Sequence, residues 1–203
     1  MPPMRDMTNN VARVDRAARS SLRGHGSLVI WFTGISGSGK TTLAAALERE
    51  LHAQGTATYL LDGDEFRSTV SRDLSFSESD RMENIRRAAE VARVLMNAGV
   101  VVLATFISPM RSNRSLAREL IGADDFVEVF VDTPLNIAER RDAKGLYALA
   151  RRGEVKNFTA VSSPYEPPLA PDVHIETMHL DVLQAMACIR TEIERRLHSR
   201  PAS

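Results

Sequence analysis

The stretch Leu28–Thr42, LVIWFTGISGSGKTT, decides the fold. Its opening, Leu28–Thr33, reads as a strand buried on both faces. The next eight residues, Gly34-Ile35-Ser36-Gly37-Ser38-Gly39-Lys40-Thr41, match the phosphate-cradling pattern G-x-x-x-x-G-K-[ST]. Glycines at Gly34, Gly37 and Gly39 let backbone N–H groups curl around phosphate oxygens with no Cβ in the way. Lys40 adds a point charge, and the Thr41 hydroxyl is suited to Mg²⁺. With Ser38 and Thr42 these residues form the candidate ATP-binding set. The helix that follows, TTLAAALERELHAQG, is expected to end at Gly55 and to add its positive N-terminal end.

Working outward, apolar runs at Ala57–Asp62, Val100–Ile107, Phe126–Val131 and Val173–Glu176 read as further strands. Helical segments are expected at Ser77–Ala98, Arg111–Leu120, Pro134–Arg141 and Asp181–Leu197. For the first of these, Ser77 stands three residues before Asp80 as a capping pair, Phe76 is placed to act as a hydrophobic staple, and Gly99 closes the helix. Pro134 falls in a first turn, where its missing N–H is harmless. Strands alternating with helices predict an α/β fold, a P-loop NTPase-type three-layer sandwich with a mostly parallel sheet. The polar, Gly- and Pro-punctuated stretch 142–171 is too long for a simple connection and reads as a lid loop. Residues 1–26 read as an extension outside the core, in which Val11–Leu22 can form a short helix on a partner surface. Residues 27–203 then form one P-loop domain.

Composition narrows the partners. The chain has 203 residues, with Lys plus Arg and Asp plus Glu both at 26, so no global field recruits nucleic acid or an anionic membrane. Its single cysteine, Cys188, excludes an internal disulfide and a cysteine metal centre. Val100–Ile107 is far shorter than the ~20 residues of a membrane-spanning helix. With no charged-then-apolar leader, a soluble, cytoplasmic protein is expected.

What happens to the triphosphate depends on the other strand ends. No N-K-x-D segment reads guanine, and Asp132 is followed by Thr133 rather than a second acid. Asp132 is therefore expected to cap the Pro134 helix. The second strand instead ends in Leu61-Asp62-Gly63-Asp64, where an open α/β sheet binds its ligands. Asp64 there could approach both Mg²⁺ and an acceptor hydroxyl, orient that hydroxyl and accept its proton. Arginines follow at Arg67, Arg72, Arg81, Arg86 and Arg87, and guanidinium forks suit an anionic acceptor.

The chain resembles the adenylylsulfate (APS) kinase family between about Ser27 and Glu176. Beyond the cradle, the resemblance rests on LDGDEFR (Leu61–Arg67), RDLSFSESDRMENIRR (Arg72–Arg87), FISPMR (Phe106–Arg111), VFVDTP (Val129–Pro134), RDAKGLYALARRGEVKNFT (Arg141–Thr159) and PYEPP (Pro164–Pro168). It implies transfer of the ATP γ-phosphoryl group to the 3′-hydroxyl of APS, with Mg²⁺, giving 3′-phospho-APS (PAPS) and ADP. It places Asp64, Arg67, Phe76, Arg81, Asn84, Ile107, Ser108, Lys144, Asn157 and Phe158 against APS. Phe76 and Phe158 would sandwich the adenine, Arg67 and Arg81 would hold the phosphosulfate, and Asn84 would read polar edges. Catalytic roles fall to Lys40 and Asp64, with Thr41 and Asp64 on the metal. The resemblance also assigns Ser108 a phosphoserine role, although in-line attack by a bound hydroxyl needs no protein nucleophile. It further implies a homodimer fed by a separate ATP sulfurylase.

The sequence departs from the family pattern at Glu65, Ser68-Thr69-Val70, Ser75, Met110, Asn113 and Ala160, the last of which replaces a common Gly. Glu65 is expected to face solvent, since a carboxylate beside an anionic substrate would weaken binding. Two other readings remain: a kinase of the same fold acting on another small nucleotide, and a non-catalytic ATP-binding regulatory module.

Overall fold

A computed structural model describes residues 13–142 and 145–198. Its elements are α1 (Arg16–Arg23), β1 (Val29–Thr33), α2 (Lys40–Ala53), β2 (Thr58–Asp62), α3 (Gly63–Ser68), α4 (Glu78–Asn97), β3 (Val101–Thr105), α5 (Arg111–Ile121), β4 (Phe126–Asp132), α6 (Leu135–Arg141), α7 (Leu146–Arg151), β5 (Val173–Glu176) and α8 (Val182–His198). The strands form one parallel sheet in the order β2-β3-β1-β4-β5. β1 is buried throughout and registers Val29 against Val102 on one side and Phe126 on the other. Its neighbours thus come from later parts of the chain on both sides, and ligands of open sheets bind at that reversal of strand order.

Alternation along the strands splits the core. Leu28, Ile30, Phe32, Val127 and Val129 face Leu43 and Leu47 of α2 and Met186, Ile189 and Ile193 of α8. Val29, Trp31, Val102 and Phe126 face Ile85, Ala88, Ala92 and Met96 of α4 and Ala117 and Ile121 of α5. Trp31 stacks on Phe106 at 5.0 Å. The three expected layers are present.

Before β1, the structure departs from the expected free extension. Residues 1–12 lie outside the described residues, but α1 sits on its own chain. Arg16 donates to Ser27 Oγ and Asp125 Oδ1, both at 2.9 Å, and Arg19 donates to the Asn97 carbonyl at 3.1 Å. His25 Nε2 accepts from the Ala57 N–H at 2.9 Å. These contacts lie at the starting ends of β1, β2, β3 and β4. The expected partner surface is the chain itself.

Two local expectations change. Pro134 is the N-cap of α6 and not a first-turn residue, while the Asp132 carboxylate pairs with His174 Nε2 at 3.0 Å instead of capping that helix. At α4, Ser77 Oγ accepts from the Asp80 N–H at 3.2 Å as expected. The Asp80 carboxylate, however, reaches past Ser77 to the Ser75 N–H at 2.8 Å and to its hydroxyl.

Candidate active site

The phosphate loop leaves β1 at Gly34, where φ is +151° and an added Cβ would lie 2.5 Å from the Val131 carbonyl. Only glycine fits there. Lys40 Nζ folds back to donate to the carbonyls of Gly34 at 2.9 Å and Ile35 at 2.8 Å. Gly39 caps α2 with no side chain, so the first-turn N–H groups face the crevice as an anion site.

β2 ends one strand away from β1. Gly63 separates Asp62 from Asp64 because a Cβ at that position would meet the Thr105 carbonyl at 2.6 Å. Asp62 does several jobs at once. Its Oδ1 caps α3 by accepting from the Asp64 N–H at 2.9 Å. Its Oδ2 accepts from the hydroxyls of Thr41 at 2.9 Å and Thr105 at 3.0 Å. Burial alone would raise its pKa, but the hydrogen bonds from Thr41, Asp64, Thr105 and Glu65 together bring it below the ordinary carboxylate value. Asp62 therefore stays ionised beside the phosphate loop. Sequence reasoning assigned the carboxylate role to Asp64 alone; the signal for Asp62 was its position as the last strand residue before an acidic first turn. Asp64 is exposed and lines the same crevice.

Across the crevice, Phe76 is 56% exposed and does not act as a hydrophobic staple. The guanidinium carbons of Arg67 and Arg81 sit 4.5 and 5.7 Å from its ring centroid. The staple position thus carries a cation–π contact with Arg81, the residue one turn into α4. Burial holds both guanidiniums below the usual arginine value, and at Arg67 repulsion from Arg81 adds to it. Two half-buried guanidiniums on one wall, with Asp80 and Asp64 near Arg67, are of the chemistry that suits an anionic group. Arg81 also donates to the Phe76 carbonyl at 3.1 Å, to Thr159 Oγ1 at 3.0 Å and to the Asn157 carbonyl, which ties α4 to the long loop. Asn84 is 4% exposed, and its Oδ1 has no hydrogen-bond partner. Phe158 is 9% exposed and meets Tyr147 edge-on at 5.0 Å. Glu65 is exposed, as expected.

Ser108 follows β3 with φ at +37°, the left-handed region that a serine rarely adopts. Its side chain is 2% exposed. The hydroxyl accepts from Trp31 Nε1 at 3.1 Å and lies 3.1 Å from Thr33 Oγ1 and 3.3 Å from the Phe106 carbonyl. The Ser108 carbonyl takes a 2.7 Å hydrogen bond from Arg114, whose guanidinium is also ion-paired with Glu128 at 2.8 Å in the core. Of the expected site residues, Gly37–Thr42, Asp64, Arg67, Phe76, Arg81, Asn84, Ile107, Ser108, Asn157 and Phe158 are brought to one cavity of about 940 Å³, Gly34 stands just outside its walls, and Lys144 lies outside the described residues. Its walls run from Ser36–Leu43 through Asp62 and Asp64 to Arg67, Phe76, Arg81, Asn84, Ile107, Ser108, Asn157 and Phe158. The long loop holds one further element, α7.

Residues 26–176 match the model of the family described as Adenylylsulphate kinase. The chain belongs to the adenylylsulphate kinase family. It is 51% identical over 187 residues to the adenylyl-sulfate kinase of Yersinia pestis, covering 88% of each chain. It is 50% identical to the bifunctional enzyme NodQ of a Rhizobium strain, covering 90% of this chain and 29% of that protein. Its fold superposes with a TM-score of 0.80 on the Mycobacterium tuberculosis APS kinase CysC in complex with AMPPNP and APS. That match has 44% identity and covers 84% of this chain and 98% of the other. Among the described residues of this family member, no helix is long and apolar enough to cross a membrane.

Proposed function

We propose that this kinase transfers the γ-phosphoryl group of ATP to the 3′-hydroxyl of APS, forming PAPS and ADP. The observation that carries the reading is one cavity with two unlike walls, a phosphate cradle and a cationic–aromatic pocket, facing each other across Asp62 and Asp64. The orphaned, buried Asn84 Oδ1 supports an acceptor with polar edges, because such a group is costly to leave unmatched.

Asp64 accepts the proton of the 3′-hydroxyl as the O3′–Pγ bond forms and the bond from Pγ to the β,γ-bridging oxygen breaks. Lys40 and the N-terminus of α2 stabilise charge on the phosphoryl oxygens. Arg67 and Arg81 hold the phosphosulfate, while Phe76 and Phe158 bound the adenine. Mg²⁺ would neutralise the β- and γ-oxygens when bound, and the hard oxygen pair of Thr41 and ionised Asp62 fits it. Asp62 thereby joins Thr41 and Asp64 in the metal set. The Ser108 hydroxyl already shares hydrogen bonds with Trp31 and Thr33, which supports direct transfer without a phosphoserine. From the family resemblance we extend the proposal to a cytoplasmic homodimer fed by a separate ATP sulfurylase.

An ADP-release assay comparing APS with AMP and a cytidine diphosphate acceptor tests the acceptor. APS should be preferred by at least about 100-fold in kcat/KM, on the scale of one desolvated charged contact. Preference for another nucleotide would overturn the assignment.

A further inference from the structure

Beside the two main cores lies a third apolar cluster. It joins Ile35 of the phosphate loop, Ala138 of α6, Tyr147 and Ala150 of α7, and Phe158. Tyr147 is 1% exposed and touches both nucleotide walls. Its hydroxyl donates to the Ser36 carbonyl at 2.8 Å, and its ring meets Phe158 at 5.0 Å with planes at 78°. The residue is itself fixed, because the Asp142 carboxylate accepts from the N–H groups of Tyr147 at 3.0 Å and Ala148 at 3.1 Å.

We propose that Tyr147 is a positioning residue that couples the ATP loop to the acceptor wall. The reading rests on Phe158 being an acceptor contact. The physical reason for the first half lies in the peptide plane. The carbonyl of Ser36 and the N–H of Gly37 belong to one planar unit and point in opposite directions. A hydroxyl that pins the carbonyl therefore also aims the Gly37 N–H, one of the amides available to phosphate. For the second half, an edge-on aromatic neighbour fixes the tilt of the Phe158 ring and so the surface it offers to a base. Burial pushes the Tyr147 phenol up to about 12, so it remains a donor across the working pH range.

Tyr147→Phe removes the hydroxyl and keeps the ring. It should raise the KM for ATP roughly five- to tenfold, the equivalent of one net hydrogen bond, with the KM for APS within about twofold of wild type. Tyr147→Leu should raise the KM for APS about fivefold as well. Unchanged ATP KM in Tyr147→Phe, or equal shifts in both constants, would overturn the coupling. If the leucine variant does not fold, Tyr147→Phe decides the hydroxyl half and Phe158→Leu the ring half. Phe158→Leu is the separate control. An unchanged APS KM there would overturn the acceptor role of Phe158 and the ring half of this proposal, while the ATP readout of Tyr147→Phe would still judge the hydroxyl half.

Discussion

The Thr41 hydroxyl donates to the Asp62 carboxylate at 2.9 Å, joining the residue after the phosphate-loop lysine to the end of β2, which β3 separates from β1 in the sheet. This bond makes Asp62 part of the donor site and part of the cap of α3. Asp62→Asn keeps an acceptor oxygen for that cap but removes the charge. It should lower kcat at least about 100-fold with a melting temperature within a few degrees of wild type. Activity within threefold of wild type would remove Asp62 from the reaction.

The same bond sets a pH dependence. Asp62 is depressed in the folded state, so its contribution to stability is present above the unfolded value near 4 and is lost as pH falls through the folded value. Thr41→Ala removes one of the bonds that depress it. Urea unfolding from about pH 7 to about pH 3 should show a stability gap between the two proteins that is widest at the neutral end and closes in acid. A gap that widens toward acid would contradict the assignment.

Ser108→Ala should keep activity within about tenfold of wild type, because the reaction does not pass through the serine. It should nevertheless destabilise the fold by about 1–3 kcal/mol, since the buried Trp31 Nε1–H loses its acceptor. With γ-labelled ATP and no acceptor, wild-type protein should retain no covalent label. Labelled protein would restore the phosphoserine.

Ala160 has φ at +69°, a conformation that glycine adopts freely. Ala160→Gly should stabilise the protein by about 0.5–1 kcal/mol, the left-handed strain of an alanine less the extra entropy of an unfolded glycine. Thermal melting checks the sign. A lower melting temperature would mean that the methyl group packs usefully in the loop.

Glu128 and Arg114 form an ion pair whose side chains are 10% and 3% exposed. Glu128→Ala strands a buried guanidinium and should destabilise by about 3–5 kcal/mol. Chemical denaturation measures this. A loss under about 1 kcal/mol would show the pair to be solvated.

Much of the fold was legible because it rests on local patterns. The apolar runs mark the five strands, and Ser77 and Gly99 bracket α4 from the sequence alone. What escaped was short or long-range. α3 and α7 are six residues each, too short to display helical periodicity, and α3 begins at a glycine that reads as a turn. Docking of α1 depends on Arg16 meeting Asp125, a partner 109 positions away that no window contains. In the site, residue types were legible and their partners were not. Asp62 and Asp64 flank one glycine symmetrically in sequence, and where β2 gives way to α3 decides which of them meets Thr41, since Asp62 closes the strand and caps the helix that holds Asp64. Phe76 was expected to staple a helix apolarly, yet its neighbours turned out to be cations.

Anchorage of α1 at the starting ends of the strands has a consequence for modular assembly. β1 is five residues long, which at strand rise sets about 16 Å between that anchorage and the nucleotide cleft. A protein joined directly at Arg13 would start from the end of the sheet opposite the chemistry.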